Sequence, residues 1–252
     1  MKVSIVTISF NQARFLEEAI CSVVNQDYDD VEYIVVDPGS TDGSRDIIQG
    51  YKDKIAKIIY EPDRGPADGL NKGFAEAHGE IFGFLNSDDV LEPGAFSRVV
   101  QYFEAHPDVD VISGHSWIID AEGNIKRRFF SDRYSLRMAA YGASILSQAS
   151  TFFRAKAFRR AGGFNIENRS NWDGELFIDI ALAGAQFSLV PEFWSRFRIH
   201  EYGITGSGKL HALYQSHREK MFRKIMGREP NIMDRFLVEG ARFGRKLLLM
   251  SQ

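Results

Sequence analysis

Two adjacent carboxylates, Asp88 and Asp89, close the stretch Gly83-Phe84-Leu85-Asn86-Ser87-Asp88-Asp89-Val90-Leu91. Neighbouring like charges repel unless a cation lies between them and a partner, and hard oxygen donors suit Mg2+ or Mn2+. A divalent cation holding a diphosphate is the chemistry such a pair supports. Other carboxylates follow other apolar runs: Asp37 closes the run 31–36, and Asp63 comes shortly after 55–60. Further on, Asn171-Trp172-Asp173-Gly174-Glu175 opens a helical pattern with two acids in its first turn. Acids there complement the helix dipole, or one of them takes a proton from an attacking hydroxyl. Each feature alone is an ordinary polar turn; their common position gives them weight.

That position comes from the elements. Residues 3–8 are a β-branched run, read as a buried parallel strand, with Ser9-Phe10-Asn11-Gln12 as the loop at its carboxyl end. Phe15, Leu16, Ala19, Ile20, Val23 and Val24 recur at helical spacing. A second strand at 31–36 leads into the polar turn 38–44 and a short helix at 46–50. A third strand at 55–60 precedes a helix at 70–77, and a fourth at 81–85 precedes a helix starting near Pro93. Strand–helix alternation predicts an α/β fold with a mainly parallel, Rossmann-like sheet. Strand carboxyl ends share one sheet edge, so Thr7, Asn11, Asp37, Asp63, Asp88 and Asp89 are expected to line one crevice.

The second half reads as a helix at 95–104, a strand at 109–113 and a hairpin of 117–120 with 125–130, turning at Glu122-Gly123-Asn124. This predicts a small antiparallel extension beside the parallel sheet. Residues 148–154 read as a strand whose alternation turns Gln148 and Ser150 to the site. A helix spans 211–226. In the last helix, Ile232, Met233, Phe236, Leu237, Gly240, Phe243, Gly244, Leu247 and Leu248 form an apolar face, with Arg235, Arg242, Arg245 and Lys246 on the other side. A basic amphipathic terminal helix reads as a membrane-surface element; docking on the body and packing in a homodimer are the alternatives.

The chain has 252 residues, 44% hydrophobic and 26% charged, as in an ordinary globular protein. One cysteine, Cys21, excludes a disulfide framework and points to a reducing compartment. The strand begins too close to Met1 for a signal peptide, and no apolar run reaches spanning length. The expected location is cytoplasmic, peripheral on the inner face of the plasma membrane. Charge is uneven: residues 201–252 hold 10 Lys+Arg and 5 Asp+Glu, whereas 1–200 hold 21 and 29. The acidic body argues against a nucleic-acid partner.

Four segments together resemble glycosyltransferase family 2: residues 3–11, Val35-Val36-Asp37-Pro38-Gly39-Ser40-Thr41-Asp42-Gly43, Glu61-Pro62-Asp63-Arg64-Gly65 and Leu85-Asn86-Ser87-Asp88-Asp89. Their order and spacing match over about the first 95 residues, and more loosely to about 205. The resemblance implies the GT-A fold and an inverting, metal-dependent transfer from a nucleotide-diphosphate sugar, with UDP expected, in surface polysaccharide synthesis. It implies a glycan or polyprenyl-diphosphate-linked acceptor. Nucleotide contacts fall to Thr7, Asn11, Asp37, Asp63, Asn86 and Ser87. Arg64, Asp68, Gln148, Arg198 and His200 fall to the donor sugar and diphosphate. Asp88, Asp89 and His200 fall to Mn2+ or Mg2+. Asp173 takes the base position, with Glu175 as its rival. Asn86 stands where the family's metal motif has its first Asp, and Pro38 where a small or polar residue is more usual. The implied layout is a catalytic domain over 1–205, with a nucleotide-sugar-binding half over 1–114 and an acceptor-side half over 115–205 that holds the antiparallel extension, and a helical extension over 206–252. The segment 201–208 would be a flap over bound donor.

Two other readings weigh against this one. A sugar-nucleotide pyrophosphorylase would need a glycine-rich basic loop after the first strand, where Ser9-Phe10-Asn11-Gln12-Ala13 stands. A non-catalytic nucleotide-sugar-binding protein on the same fold would not need Asp88, Asp89, Asp173 and His200 together.

Overall fold

The computed structural model describes residues 1–201, 203 and 211–250. Most of the expected flap at 201–208 therefore lies outside the described residues. The first half alternates as the apolar runs require: β1 (Val3–Ile8), α1 (Ala13–Val24), β2 (Val31–Val36), α2 (Ser44–Gly50), β3 (Lys57–Ile59), α3 (Pro66–Ala75) and β4 (Ile81–Asn86). These four strands are parallel, in the order β3-β2-β1-β4. Then come β5 (Val90–Leu91), α4 (Ala95–Ala105), β6 (Val111–Ile119), β7 (Ile125–Phe129), α5 (Leu136–Ala140), β8 (Thr151–Arg154), α6 (Ala155–Ala161), α7 (Trp172–Leu182) and β9 (Phe187–Arg198). The order continues β4-β8-β6-β9-β5, with β7 on β6. β8 runs antiparallel to β4 and β6, β9 runs parallel to β6, and β5 and β7 are antiparallel to their partners. The sheet is thus mixed, and its antiparallel part is larger than the hairpin expected from sequence.

Helices cover both faces. On one, Leu16, Ile20 and Val23 of α1 and Phe96, Val99 and Phe103 of α4 pack on Val3 and Ile5. On the other, Leu70 and Phe74 of α3, Phe158 of α6 and Leu176 and Phe177 of α7 pack on Val6, Phe82 and Phe84. A strand apolar on both faces is what a central parallel position demands.

Several boundaries differ from the sequence reading. α3 begins at Pro66, whose fixed φ suits a first helical turn. Pro93 precedes α4 instead of lying within it, because Gly94 takes φ +76° and the helix starts at Ala95. Val90 and Leu91 form a short strand on β9. β6 runs unbroken from Val111 to Ile119, where a strand and a separate hairpin arm were expected. Residues Gln148–Ser150 form a 3-10 turn before β8, so alternation does not govern them.

After β9 come α8 (His211–Met226) and α9 (Ile232–Met250). α9 docks on the body by its polar flank. Arg228 holds Asp234 at 2.6 and 2.8 Å, and Tyr141 donates to Asp234 at 3.2 Å. Arg245 pairs with Asp132 at 2.6 Å, and Val238 and Ala241 pack beside Tyr141 and Phe222. The apolar flank faces outward: Ile232, Phe236 and Phe243 are 70%, 64% and 64% exposed. Among the described residues no helix is long and apolar enough to cross a membrane.

Candidate active site

A cleft of about 640 Å3 opens at the carboxyl ends of β1 and β4. Its wall includes Phe10 after β1, Pro38 after β2, Asp63 and Gly65 after β3, and Asn86, Ser87 and Asp88 after β4. From the second half come Gln148, Trp172, Asp173 and Arg198. Sheet topology alone brings these distant segments to one edge.

Asp88 lines this cleft and meets the buried His200 behind its wall. Asp88 Oδ2 lies 3.0 Å from His200 Nε2, and the imidazole packs on Phe15 with ring centroids 4.6 Å apart. Asp89 does not join them. It is fully buried, accepts from the Arg198 N–H at 3.0 Å and takes a longer bond from Asn86 at 3.3 Å. Burial, and then the charge of Asp88, push its carboxyl pKa up. The second carboxylate expected on the metal is instead a buried tie between β4 and β9.

Arg198 is likewise committed. It is 3% exposed and donates to the carbonyls of Asp88, Asp120 and Ala121 and to Glu18. These bonds use four of the five guanidinium N–H groups. It braces the loop that carries Asp88, although a phosphate contact was expected of it. Gln148 does reach the cleft: its amide donates to the Phe84 carbonyl at 2.6 Å and accepts from Asn86 at 3.1 Å. Ser150 does not. Its hydroxyl is buried in a network with His115 O, Ser116 and Ser195 that fastens the turn carrying Gln148.

Asp37 is fully buried; its Oδ1 accepts from the N–H groups of Gly39 and Ser40 and from Arg45 Nε. Its other oxygen, Oδ2, is buried with no hydrogen-bond partner among the described residues. An acceptor so desolvated costs free energy unless a donor fills it. Asp63 faces the cleft, and its Oδ1 holds the Gly65 N–H at 2.9 Å. Burial raises its pKa, with Asp68 and Asp37 adding to the effect. A Cβ on Gly69 would stand 2.7 Å from Asp63 Oδ2, so a side chain there would displace the carboxylate.

Four expected nucleotide or diphosphate contacts sit elsewhere. Thr7 is fully buried and its hydroxyl accepts from Tyr33 at 3.0 Å, because alternation along β1 points it into the α1 face of the core. Asn11, at φ +53°, ties the β1 loop to the turn after β2 through Ser40 and Thr41. Arg64 and Asp68 face one another at the start of α3, outside the cleft wall.

Asp173 and Glu175 separate cleanly. Asp173 lines the cleft and also a smaller cavity behind it. Burial raises its pKa against the main-chain N–H groups of Gly174 and of Asp173 itself. Glu175 is buried away from the cleft, held by Asn168 at 2.7 Å and by Asn165 and Lys224 at 3.1 Å. Burial alone would raise its pKa, but these bonds outweigh it and the net shift is downward. Of the two acids, Asp173 is therefore the one that opens on the cleft, and Glu175 is a structural anchor.

The sequence model of glycosyl transferase family 2 matches residues 4–162. The chain belongs to this family. A glycosyltransferase of Nostoc sp., itself uncharacterized, is 42% identical over 130 residues, which cover 50% of this chain and 39% of that protein. The GalNAc(5)-diNAcBac-PP-undecaprenol beta-1,3-glucosyltransferase of Campylobacter jejuni is 34% identical over 132 residues, covering 51% and 42%. These matches span less than half the length of either relative. Among solved structures, S. aureus TarS in complex with UDP-GlcNAc superposes with TM-score 0.69 at 19% identity, covering 90% of this chain and 72% of that one. The mannosyltransferase PcManGT of Pyrobaculum calidifontis, in complex with GDP-Man and Mn2+, gives 0.67 at 21%, covering 95% and 68%. The fold is thus the GT-A fold of glycosyltransferases.

For a family 2 chain, one cleft residue and one supporting residue behind it stand out that no sequence pattern marked. Phe10 is 59% exposed on the cleft wall, an aromatic face open to a ring or an aglycone. Only its place beside Ser9 and Asn11 in the β1 loop could have pointed to it. Glu18 pins Arg198 from 180 residues away, which no local pattern reveals.

Proposed function

We propose that this chain transfers a sugar from a nucleoside-diphosphate donor, with UDP as nucleotide, to a hydroxyl of a lipid-linked glycan, inverting the anomeric centre. The observation that carries this reading is the placement of Asp88 and Asp173 in one cleft, with His200 bonded to Asp88 behind the wall and Glu175 turned away. The donor nucleotide is bound by Asp63 and Asp37, whose unfilled Oδ2 suits a base N–H. Asn86, Ser87 and Gln148 face the sugar and ribose hydroxyls. Asp173 accepts the proton of the attacking hydroxyl, and its raised pKa strengthens it as a base. Inversion in one displacement needs no second carboxylate nucleophile.

Asp88 and His200 would hold the divalent cation, Mn2+ or Mg2+. A carboxylate oxygen and an imidazole nitrogen suit such a metal. Among the described residues no cluster of three or more His, Cys, Asp or Glu stands ready, so the diphosphate itself would complete the coordination. A cation held by these two residues would supply charge neutralisation for the leaving diphosphate. Support for a nucleotide sugar and Mn2+ comes from what TarS and PcManGT hold, and support for a diphosphate-linked lipid acceptor from the name of the Campylobacter relative. The outward apolar flank of α9 supports peripheral attachment to a membrane in polysaccharide assembly.

Donor turnover tests the proposal. Incubation with a panel of UDP-, GDP- and dTDP-sugars and Mn2+ should release nucleotide from one donor class. Nucleotide binding without any release, with acceptor extracts present, favours a nucleotide-sugar-binding scaffold.

A further inference from the structure

Behind Asp173 lies a second cavity of about 120 Å3, walled by Tyr134, Gly142, Gly174, Tyr214 and Arg218 among others. Asp173 is shared between this cavity and the donor cleft. Two guanidinium groups converge at Gly142 on its rim, Arg218 from the cavity wall and Arg242 from outside it. A Cβ on Gly142 would lie 3.1 Å from Arg218 Nη2 and 3.2 Å from Arg242 Nη2, so α8 and α9 aim both at one point. Gly142 itself sits at φ +66°, where a side chain is disfavoured.

Asp173 lines the same cavity, but no carboxylate stands within ion-pair distance of either guanidinium among the described residues. Among the described residues neither Arg218 nor Arg242 forms an ion pair, while Arg228 in the turn between the two helices and Arg245 of α9 each hold an aspartate. Burial and then Arg242 lower the Arg218 pKa, as expected for like charges facing one another. The Tyr134 hydroxyl is also buried at this cavity with no hydrogen-bond partner among the described residues. Two paired cations and an unfilled hydroxyl beside an apolar wall call for an anion with several acceptor oxygens. Next to Arg242, Phe243 begins the exposed apolar flank that continues through Leu237 and Phe236.

We propose that Arg218 and Arg242 bind the diphosphate of an isoprenoid diphosphate acceptor, whose hydrocarbon lies along the outward flank of α9. The cavity's contact with Asp173 then sets the acceptor's length. The phosphoryl group lies one small cavity away from the base, so the attacked hydroxyl belongs to a sugar close to the lipid and not to the far end of a long glycan. This rests on the reading of Asp173 as the base, but the anion site itself does not.

Binding is therefore measured without nucleotide and in EDTA, which keeps the donor cleft out of the measurement. Farnesyl diphosphate, inorganic pyrophosphate and farnesol are titrated into wild type and into the double variant Arg218→Gln, Arg242→Gln. Loss of two charge-assisted contacts should weaken farnesyl diphosphate by about tenfold or more. Pyrophosphate should weaken similarly, and farnesol should bind both proteins equally. Arg242→Gln alone, at an exposed position, serves if the double variant does not fold, and should give part of the loss. Equal affinity of wild type and variant for farnesyl diphosphate overturns the proposal. So does a loss confined to phosphatidylglycerol vesicles, which would make the pair a general lipid-headgroup contact. Failure of UDP to bind wild type, measured separately with Mn2+, would count against the donor reading and leave this result standing.

Discussion

Asp88 Oδ2 and His200 Nε2 lie 3.0 Å apart although 112 residues separate them in the chain. β4 delivers the carboxylate and the end of β9 delivers the imidazole. Arg198, bonded to the Asp88 carbonyl, fixes the loop between them. One acid of the Asp88–Asp89 pair faces the cleft while the other is locked beneath it, so exchange at the two positions should have different consequences.

Asp88→Asn should remove Mn2+-dependent UDP binding, since an amide is a poor ligand for a hard cation. Asp173→Asn should leave UDP binding within a few-fold of wild type and lower transfer by about 10²–10⁴. Calorimetric titration together with a transfer assay separates the two, and equal loss of UDP binding in both variants refutes the division of roles.

Glu175→Gln should cost stability and not chemistry. Its net-lowered pKa means that its stabilising contribution is present above the unfolded carboxyl value and is lost as pH falls through the folded one. Replacing one partner of this buried cluster should cost about 1–3 kcal/mol near neutral pH, with a smaller difference in acid. Urea unfolding at two pH values reads this. A folded Glu175→Gln protein without transfer activity would instead make Glu175 the base.

The pH profile of transfer should carry an acid limb from Asp173. Its pKa is raised by burial, so the proton-accepting form is lost as pH falls through a value above the ordinary 3.8. Activity should fall on the acid side of that value. A limb at or below 3.8, measured where the protein stays folded, contradicts a buried base.

Asp37→Asn should weaken UDP by about tenfold or more, because a donor amide then occupies the place of the unfilled Oδ2 acceptor. Folding should survive, since one oxygen remains for the Gly39 and Ser40 N–H groups. Wild-type affinity for UDP in this variant would move the base contact elsewhere.

Much of this was legible in the sequence, for a physical reason. β-branched runs ending in acids mark parallel strands, and parallel strands share a carboxyl edge, so Asp63 and Asp88 could be placed in one cleft, whereas Asn86 and Asp173 came from the family resemblance. The faces of elements were harder. Thr7 belongs to the right strand but the wrong side of it. Glu175 and Asp173 share a helical turn, and only Asn165, Asn168 and Lys224 decide which is tied down. Amphipathicity showed that α9 has two unlike flanks, but not that the polar flank would dock and the apolar one face out. That choice is made by Asp132, Asp234 and Tyr141, whose geometry is tertiary.

The central claim is that Asp88 and His200 form a metal-dependent nucleotide site. Titration of UDP into wild type with and without Mn2+, followed by Asp88→Asn and His200→Ala, tests it most directly. UDP should bind tightly only with metal, and that binding should be lost in Asp88→Asn and weakened in His200→Ala. Tight UDP binding in EDTA, unchanged by Asp88→Asn, would contradict it.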